Sequence, residues 1–305
     1  MNKLKYILGV LLLPVMVACQ KSEPEKPTFN VNTAKQEYKV GEIVTFSISG
    51  YADLISFYSG EPGKEYRFKD RIESEDSKLK LRISTQALYG SQTNNLTFWY
   101  STNFNDTYTV EGLKAATWKE ITNRVKLSTY TGGSVGPIEQ DSEVDISDLP
   151  VSNTPIYFAF KYEGWESATA ALGGKTWRIH GFDLYNIATD GRRTDIATAK
   201  SPQWIAIDVV NPVNKWTFQN VAPFMIFAPN STLLPSEDWA VSRAFLPNAT
   251  KPDVGVGIKD YLKPMRDYKY TFTKEGKYTV TFVGKNVNNL GEEAVVKTLT
   301  IVVTK

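Results

Sequence analysis

The sequence predicts an all-β fold, and three observations support that prediction. Residues 40–50 alternate apolar and polar side chains between glycines, which indicates a half-buried strand, and similar segments recur along the chain. Turn residues such as Glu61, Pro62 and Gly63 separate these segments. Helical periodicity is nearly absent, and the chain is rich in Trp, Tyr and Phe, which favour strands.

The strand pattern recurs along the chain from the first strands to the last. In chain order the predicted strands are residues 40–50, 53–59, 79–87, 95–100, 156–162, 176–186, 204–210, 268–272, 276–283 and 295–303. The best candidates for short helical turns are residues 117–123 and 236–242.

The first eighteen residues have the form of an export signal. Two lysines precede an apolar run over residues 6–17, which is shorter than the ~20 residues that a membrane-spanning helix needs. Residues 15–19, Val-Met-Val-Ala-Cys, resemble the lipobox of bacterial lipoproteins. Cys19 is the only cysteine, so no disulfide can form within the chain. We expect a signal peptide over residues 1–18 and a lipid on Cys19; an ordinary secretory signal is the alternative.

Residues 19–27 are predicted to be the lipidated cysteine and a flexible tether, because residues 20–27 are polar and contain two prolines. The acidic residues after Cys19 resemble the surface-export signals of Bacteroidetes lipoproteins. This resemblance implies an outer-membrane protein that faces the cell exterior and contacts the membrane through its anchor. Without the two lysines of the signal, basic and acidic residues balance at 33 each, which argues against nucleic acid as a partner.

Both ends of the chain resemble parts of an Ig/PKD-like β-sandwich, most clearly residues 268–304. Neither end alone supplies the ~7 strands that such a sandwich needs. We therefore predict one split sandwich built from residues 28–64 plus 265–305. Residues 65–264 would then form an inserted domain, which neighbouring chain ends tolerate.

The inserted range resembles the closing half of jelly-roll domains in the choice-of-anchor and cleaved-adhesin group. The segments that carry the resemblance are WKEI at 118–121, VDIS at 144–147, PIYFAFKY at 155–162 and KTWRIHGFDL at 175–184. The resemblance implies a jelly-roll-like β-sandwich. His180 and Gly181 replace the acidic pair that lies near calcium in some relatives, so that metal site does not carry over.

The whole arrangement resembles a Bacteroidetes outer-membrane lipoprotein family of unknown function. Residues 55–66 (ISFYSGEPGKEY) and 252–259 (PDVGVGIK) carry this resemblance most specifically. It implies a role beside Sus-like glycan-uptake machinery or as a surface adhesin.

Catalysis has little support in the sequence, and we expect neither enzymatic activity nor a cofactor. His180 is the only histidine and lies on a predicted strand, while Cys19 would be blocked by lipid, so a Cys–His pair cannot form. A zinc site built from several His or Cys ligands is excluded by their number. A glycoside hydrolase needs only two carboxylates and stays an alternative, with Glu163 and Glu166 beside Trp165 as the best pair.

Oxygen ligands for a metal alternate along one segment, and Asp141 and Asp145 are the candidates for a calcium site there. Glu143 and Asp148 belong to the same acidic run. The run lacks the glycine turn and the terminal bidentate glutamate of a calcium loop. An acidic strand edge that discourages pairing is the favoured interpretation.

Carbohydrate binding is the favoured function, with a structural or adhesive protein that binds other proteins as the alternative. Sugar rings stack on exposed aromatic side chains, and the segment Tyr162-Glu163-Gly164-Trp165-Glu166 offers such residues in a predicted loop. Tyr162, Trp165 and Glu166 are the candidate ligand-binding residues, together with Trp239 in a second predicted loop. The tryptophans at 99, 177 and 204 lie within strand patterns and are assigned to cores.

Overall fold

The computed structural model describes residues 22–74, 76–140, 143–150, 154–198, 204–229 and 233–305. Within these ranges nearly all of the regular secondary structure is β-strand, so the predicted all-β fold is confirmed. The signal peptide and Cys19 lie outside the described residues. Among the described residues, no helix has the length and apolar character to cross a membrane.

The strands account for nearly all of the regular structure. In chain order they are β1 (Asn30–Thr33), β2 (Glu37–Lys39), β3 (Ile43–Ser49), β4 (Leu54–Tyr58), β5 (Lys78–Leu88), β6 (Leu96–Ser101), β7 (Lys119–Glu120), β8 (Glu139–Gln140), β9 (Val144–Asp145), β10 (Tyr157–Gly164), β11 (Thr176–Ile187), β12 (Arg193–Ala197), β13 (Trp204–Val210), β14 (Trp216–Phe218), β15 (Met225–Phe227), β16 (Ser236–Ser242), β17 (Val256–Lys259), β18 (Asp267–Thr271), β19 (Gly276–Asn288) and β20 (Gly291–Thr304). The helices are α1 (Val110–Ala115) and the 3-10 helices Tyr66–Phe68, Thr122–Arg124 and Ala170–Leu172.

The chain divides into two compact units. The terminal unit combines the described residues up to Arg67 with Val254–Lys305, and the inserted unit is Phe68–Asp253. The strand β17 belongs to the terminal unit because it pairs with β4, with Val256 opposite Phe57. The sequence analysis placed this strand in the inserted range 65–264. Its four residues are exposed or half-buried and lack an alternating apolar face, so the pattern that identifies strands is missing here.

The terminal unit is a sandwich of two sheets, in the orders β1-β3-β18 and β17-β4-β19-β20-β2. Alternate residues of β3, β4 and β19 point into one buried core, where the rings of Phe46, Phe57 and Phe282 lie 5.1 to 5.8 Å apart. Burial of such rings is a main source of stability in a domain without disulfides.

The residues just before β1 are held against the terminal unit. Asn288 Nδ2 donates to the Ser22 carbonyl (2.9 Å), Asn286 Nδ2 donates to the Glu25 carbonyl (2.8 Å), and Pro27 is buried. Residues 22–27 therefore differ from the flexible tether that their composition predicts. The two asparagines satisfy backbone groups that a spacer would leave to water.

The inserted unit is also a two-sheet sandwich. One sheet has the order β13-β16-β10-β6-β7, and the other has the order β14-β15-β11-β5-β8, with β12 and β9 pairing β11 and β5. The main core lies between the sheets, and a second apolar cluster covers the outer face of the sheet that contains β16. Because α1 and its flanking residues help to cover that face, this sheet is buried on both sides.

Burial on both sides explains one wrong prediction. Residues 236–242 form strand β16, between β13 and β10, rather than a helical turn. A strand covered on both faces loses the alternation of apolar and polar residues by which strands are recognised. Residues 117–123, the other predicted helical turn, include the short strand β7 and the start of a 3-10 helix.

Candidate functional site

Two of the four candidate ligand-binding residues lie in cores. Tyr162 is buried near the end of β10 and stacks on Phe227, with 3.9 Å between ring centroids, and burial raises the pKa of its hydroxyl. Trp239 lies in β16, not in a loop, and its ring contacts those of Trp99 and Trp118 at 5.6 Å each. Neither can stack on a sugar, so these two assignments are wrong.

The tryptophans assigned to cores are found on strands. Trp177 is buried on β11, while Trp99 and Trp204 are half-buried on β6 and β13 and pack against the two clusters of the inserted unit.

The other two candidates, Trp165 and Glu166, are exposed in the segment that follows β10. The Trp165 side chain keeps 49% of its surface accessible. Its backbone is held on both sides by one side chain: the Trp165 amide donates to Gln92 Oε1 (3.0 Å), and Gln92 Nε2 donates to the Trp165 carbonyl (2.8 Å). Asn95 Nδ2 also donates to Gln92 Oε1 (3.1 Å), which orients the Gln92 amide. An exposed aromatic ring is thus presented from a fixed backbone.

The loop that carries Gln92 also forms one wall of a groove of about 740 Å³. The groove is lined by Tyr89, Gly90, Ser91, Thr131, Gly132, Ala170, Ala171, Gly174, Thr176 and Pro229. Tyr89 is half-exposed and is the aromatic residue of this lining. The amides of Ser91 and Gln92 both donate to the Gly173 carbonyl, at 3.1 and 3.3 Å. One short loop therefore lines the groove with Tyr89 and, through Gln92, also holds the backbone of Trp165, which is not itself a lining residue.

The backbone of this loop is strained where it meets the groove. Tyr89 has a φ of +54°, which is uncommon for a bulky residue and costs on the order of 1–3 kcal/mol. Gly90 follows with a φ of +53°, and a Cβ atom there would lie 2.5 Å from the Gly174 carbonyl oxygen. Tyr89 is thus held in an uncommon backbone conformation where it lines the groove.

The groove offers hydroxyl groups but no acid. Ser91, Thr131 and Thr176 line it, and none of its described lining residues carries a carboxylate or an imidazole. Lys175, between two lining residues, is buried, and its Nζ donates to the Tyr130 carbonyl (2.7 Å). Burial lowers the pKa of Lys175. The lining thus has the apolar and hydroxyl groups of a neutral ligand site.

The residues considered for catalysis are apart from this lining. His180 on β11 is half-buried, and its Nε2 lies 3.1 Å from Gln86 Oε1. Burial lowers the pKa of His180. Glu163 is exposed on β10 and pairs with Lys161 (2.9 Å), while Glu166 is exposed in the next loop.

The candidate metal ligands hold ion pairs and hydrogen bonds instead. Asp145 lies 3.4 Å from Lys80 Nζ and accepts hydrogen bonds from the Ser147 amide and hydroxyl, which lower its pKa to about 2. Glu143 accepts a hydrogen bond from the Tyr185 hydroxyl. Asp141 lies outside the described residues. Among the described residues, no three His, Cys, Asp or Glu side chains converge as metal ligands would.

The sequence analysis missed a pair of carboxyl groups on neighbouring strands. Asp238 on β16 is fully buried opposite Asp208 on β13. Burial, with a further contribution from Asp208, raises the pKa of Asp238 to about 8, while the Ser236 hydroxyl opposes this by donating to Asp238 Oδ2 (2.6 Å). Because Asp238 has no access to solvent, it cannot reach a substrate.

The fold and groove define a class: a two-unit, all-β protein whose inserted sandwich carries an aromatic and hydroxyl-lined groove. The chain belongs to the family described as domain of unknown function (DUF5017), whose model matches residues 18–204, more than half of its length. No curated protein and no solved structure matches it. The family match covers the groove residues from Tyr89 to Thr176.

Proposed function

We propose that this chain is a surface-exposed bacterial lipoprotein that binds carbohydrate without catalysis, in the groove beside Tyr89 and Trp165. One observation carries the proposal: the loop from Tyr89 to Gln92 places the exposed Tyr89 in a groove lined by hydroxyls and small side chains, and it holds the backbone of a second exposed aromatic residue, Trp165. Fixed aromatic rings bind a ligand at little cost in conformational entropy.

The proposed ligand is a neutral glycan. The C–H face of a sugar ring is apolar and suits the ring of Tyr89, while its hydroxyls can exchange hydrogen bonds with Ser91, Thr131 and Thr176. The glycine and alanine residues of the lining leave room for the ring. With no carboxylate in the described lining, the groove has no pair of acids to hydrolyse a glycosidic bond, which supports binding rather than cleavage.

The proposed placement rests on the first nineteen residues. The lipobox-like segment before Cys19 supports lipid attachment at that residue, and the acidic residues that follow support a location on the exterior face of the outer membrane. An anchored glycan binder in that position would capture saccharides, in keeping with Sus-like uptake machinery. Intact-mass measurement of the mature protein tests the anchor, with a diacylglycerol adduct on Cys19 as the expected result.

Affinity gels that contain individual polysaccharides test the binding proposal. We expect one neutral polysaccharide to retard the wild-type chain, and Tyr89→Ala and Trp165→Ala each to weaken that binding about tenfold, because each removes an aromatic contact. Phe218→Ala is the matched control, since Phe218 is an exposed aromatic residue on β14 that is neither in the groove lining nor in the segment that Gln92 holds.

Two results would contradict the proposal. If Phe218→Ala weakens binding as much as the groove variants do, the site lies elsewhere. If no polysaccharide of a broad panel retards the wild-type chain, the alternative of an adhesive protein with protein partners becomes the better explanation.

A further inference from the structure

A second cavity, of about 550 Å³, lies at one end of the terminal unit. It is bounded by the turn after β3 and by the segment from Lys259 to Arg266, and we call these residues the end patch. Leu262 is 86% exposed, and Tyr51 and Tyr261 are each more than half exposed. Isolated apolar residues on a surface are ordinary, whereas large apolar residues grouped around one cavity are typical of interaction sites.

The charged residues that line the cavity of the end patch are Lys259, Lys263 and Arg266, and no acid does so among its described lining residues. Two acids lie beside the cavity: Asp260 is exposed between Lys259 and Tyr261, and Asp53 accepts a hydrogen bond from the Tyr51 hydroxyl (2.6 Å). The three lining cations outnumber these acids. Lys259 is held in place, because its Nζ donates to the Asp53 carbonyl (2.9 Å) and lies 5.6 Å from the centre of the Tyr51 ring. Lys263 and Arg266 are exposed. Aromatic, leucine and cationic side chains together are the composition of surfaces that lie at a membrane interface.

The start of the described chain is attached at this same end. Asn288 and Asn286 hold the carbonyls of Ser22 and Glu25, and Asn286 Oδ1 also accepts from the Asp53 amide (2.9 Å). Asp53 is the residue whose carbonyl binds Lys259 of the end patch. A short chain of hydrogen bonds therefore connects the N-terminal segment to the patch.

The position of Cys19 then limits how far the membrane can be. Two residues, Gln20 and Lys21, lie between Cys19 and Ser22, so three Cα-to-Cα steps join them and reach ~10 Å at full extension. We propose that the end patch rests on the anionic bilayer into which the acyl chains of Cys19 insert, with Leu262 and Tyr261 at the depth of the headgroups. This inference rests on the proposed lipidation of Cys19. Lysine and arginine near an anionic bilayer add to the attraction of the apolar residues.

The opposite end of β3 provides a control position. Val40 precedes β3 and is exposed, while Tyr51 follows it, and a strand of that length spans ~20 Å. If the end patch lies on the membrane, Val40 is directed away from it by about that distance.

Spin-label accessibility in the anchored protein tests the inference. In the lipidated chain Cys19 is blocked, so Leu262→Cys, Tyr261→Cys and Val40→Cys each provide one free thiol for a nitroxide label. The proteins are reconstituted in vesicles of phosphatidylethanolamine and phosphatidylglycerol. When the protein is bound to these vesicles, we expect the labels at 262 and 261 to be more accessible to oxygen than in the protein without vesicles. The same two labels should be several-fold less accessible to a water-soluble nickel chelate, while the label at 40 should show no change.

The intact mass of each protein separates the two ways in which the test can fail. If Cys19 carries a lipid but labels 262 and 40 respond equally to nickel, the docking inference is overturned while the lipoprotein proposal stands. If Cys19 carries no lipid, both are overturned. If a soluble anionic polysaccharide, but not vesicles, lowers the accessibility of label 262 to the nickel chelate, the end patch binds an acidic glycan. That result would also overturn the inference.

Discussion

Trp165 and Trp239 follow glutamates that are direct neighbours in one sheet, yet the two rings end in opposite environments. Glu163 and Glu237 are Cα partners between β10 and β16, and each tryptophan lies two residues after its glutamate. Strand β10 ends at Gly164, so Trp165 leaves the sheet. Strand β16 begins at Ser236 and continues past Trp239, so Trp239 lies within the sheet. The end of a strand, and not the local composition, decides which aromatic residue is available to a ligand.

The largest expected effect separates the two tryptophans by stability. Trp239→Ala should lower the free energy of unfolding by ~3–5 kcal/mol, because it removes a buried ring from the outer cluster. Trp165→Ala should change it by no more than ~0.5 kcal/mol, since half of that ring is already in water. Urea denaturation of both variants measures this, and equal losses would contradict the comparison.

The residue between Glu237 and Trp239 provides a test by pH. The pKa of Asp238 in the folded chain is about 8, raised mainly by burial, against an ordinary value of 3.8. The folded state thus binds more protons between these values, so this group's contribution favours folding at low pH and is lost as the pH rises from about 4 to about 8. The loss amounts to several kcal/mol, at about 1.4 kcal/mol per pKa unit.

The variant Asp238→Asn should remove this dependence. Relative to wild type, we expect its free energy of unfolding to increase steadily from pH 4 to pH 8, because the folded and unfolded pKa values of Asp238 enclose this whole range. Asp145→Asn is a control. The pKa of Asp145 is lowered, so the pH dependence that Asp145 adds to the free energy of unfolding lies below pH 4. A constant difference between Asp238→Asn and wild type across this range would mean that Asp238 is ionised in the fold.

The smallest expected effect concerns Lys161, which pairs with the glutamates that precede the two tryptophans, Glu163 on β10 and Glu237 on β16. Lys161 Nζ lies 2.9 Å from Glu163 and 3.6 Å from Glu237. Lys161→Met should destabilise the chain by ~0.5–1 kcal/mol, and by less in high salt, because at least one partner is well exposed. Denaturation at two salt concentrations checks this. A loss that does not change with salt would assign the effect to packing against the Trp239 ring.

Much of the fold is predictable because most strands have one face in a core. The alternation in the predicted strands 40–50 and 79–87 reflects such a face, and their bounds lie within three residues of the observed strands β3 and β5. Strands β16 and β17 escape detection because the first is covered on both sides and the second is largely exposed. In both, the difference between the two faces that creates the pattern is missing.

The groove was predictable only in part. Trp165 is recognisable as an exposed aromatic residue in a loop, but its fixed backbone depends on Gln92, 73 residues earlier in the chain. No local pattern records a contact at that distance. Tyr89-Gly90 between two predicted strands is a turn signal that could have drawn attention to the loop. The depth of the groove, by contrast, depends on how separate loops pack.

The glycines of the groove determine which of its positions are open to change. A Cβ atom on Gly90 would lie 2.5 Å from the Gly174 carbonyl oxygen, and one on Gly174 would lie 1.8 Å from the Tyr162 hydroxyl. Main chain packs on main chain there, and a buried tyrosine fills the space behind. The lining can therefore diverge through Tyr89, Thr131 and its other side chains, while Gly90 and Gly174 must remain glycine whatever ligand is selected. A library built to redirect the groove should randomise those side chains alone.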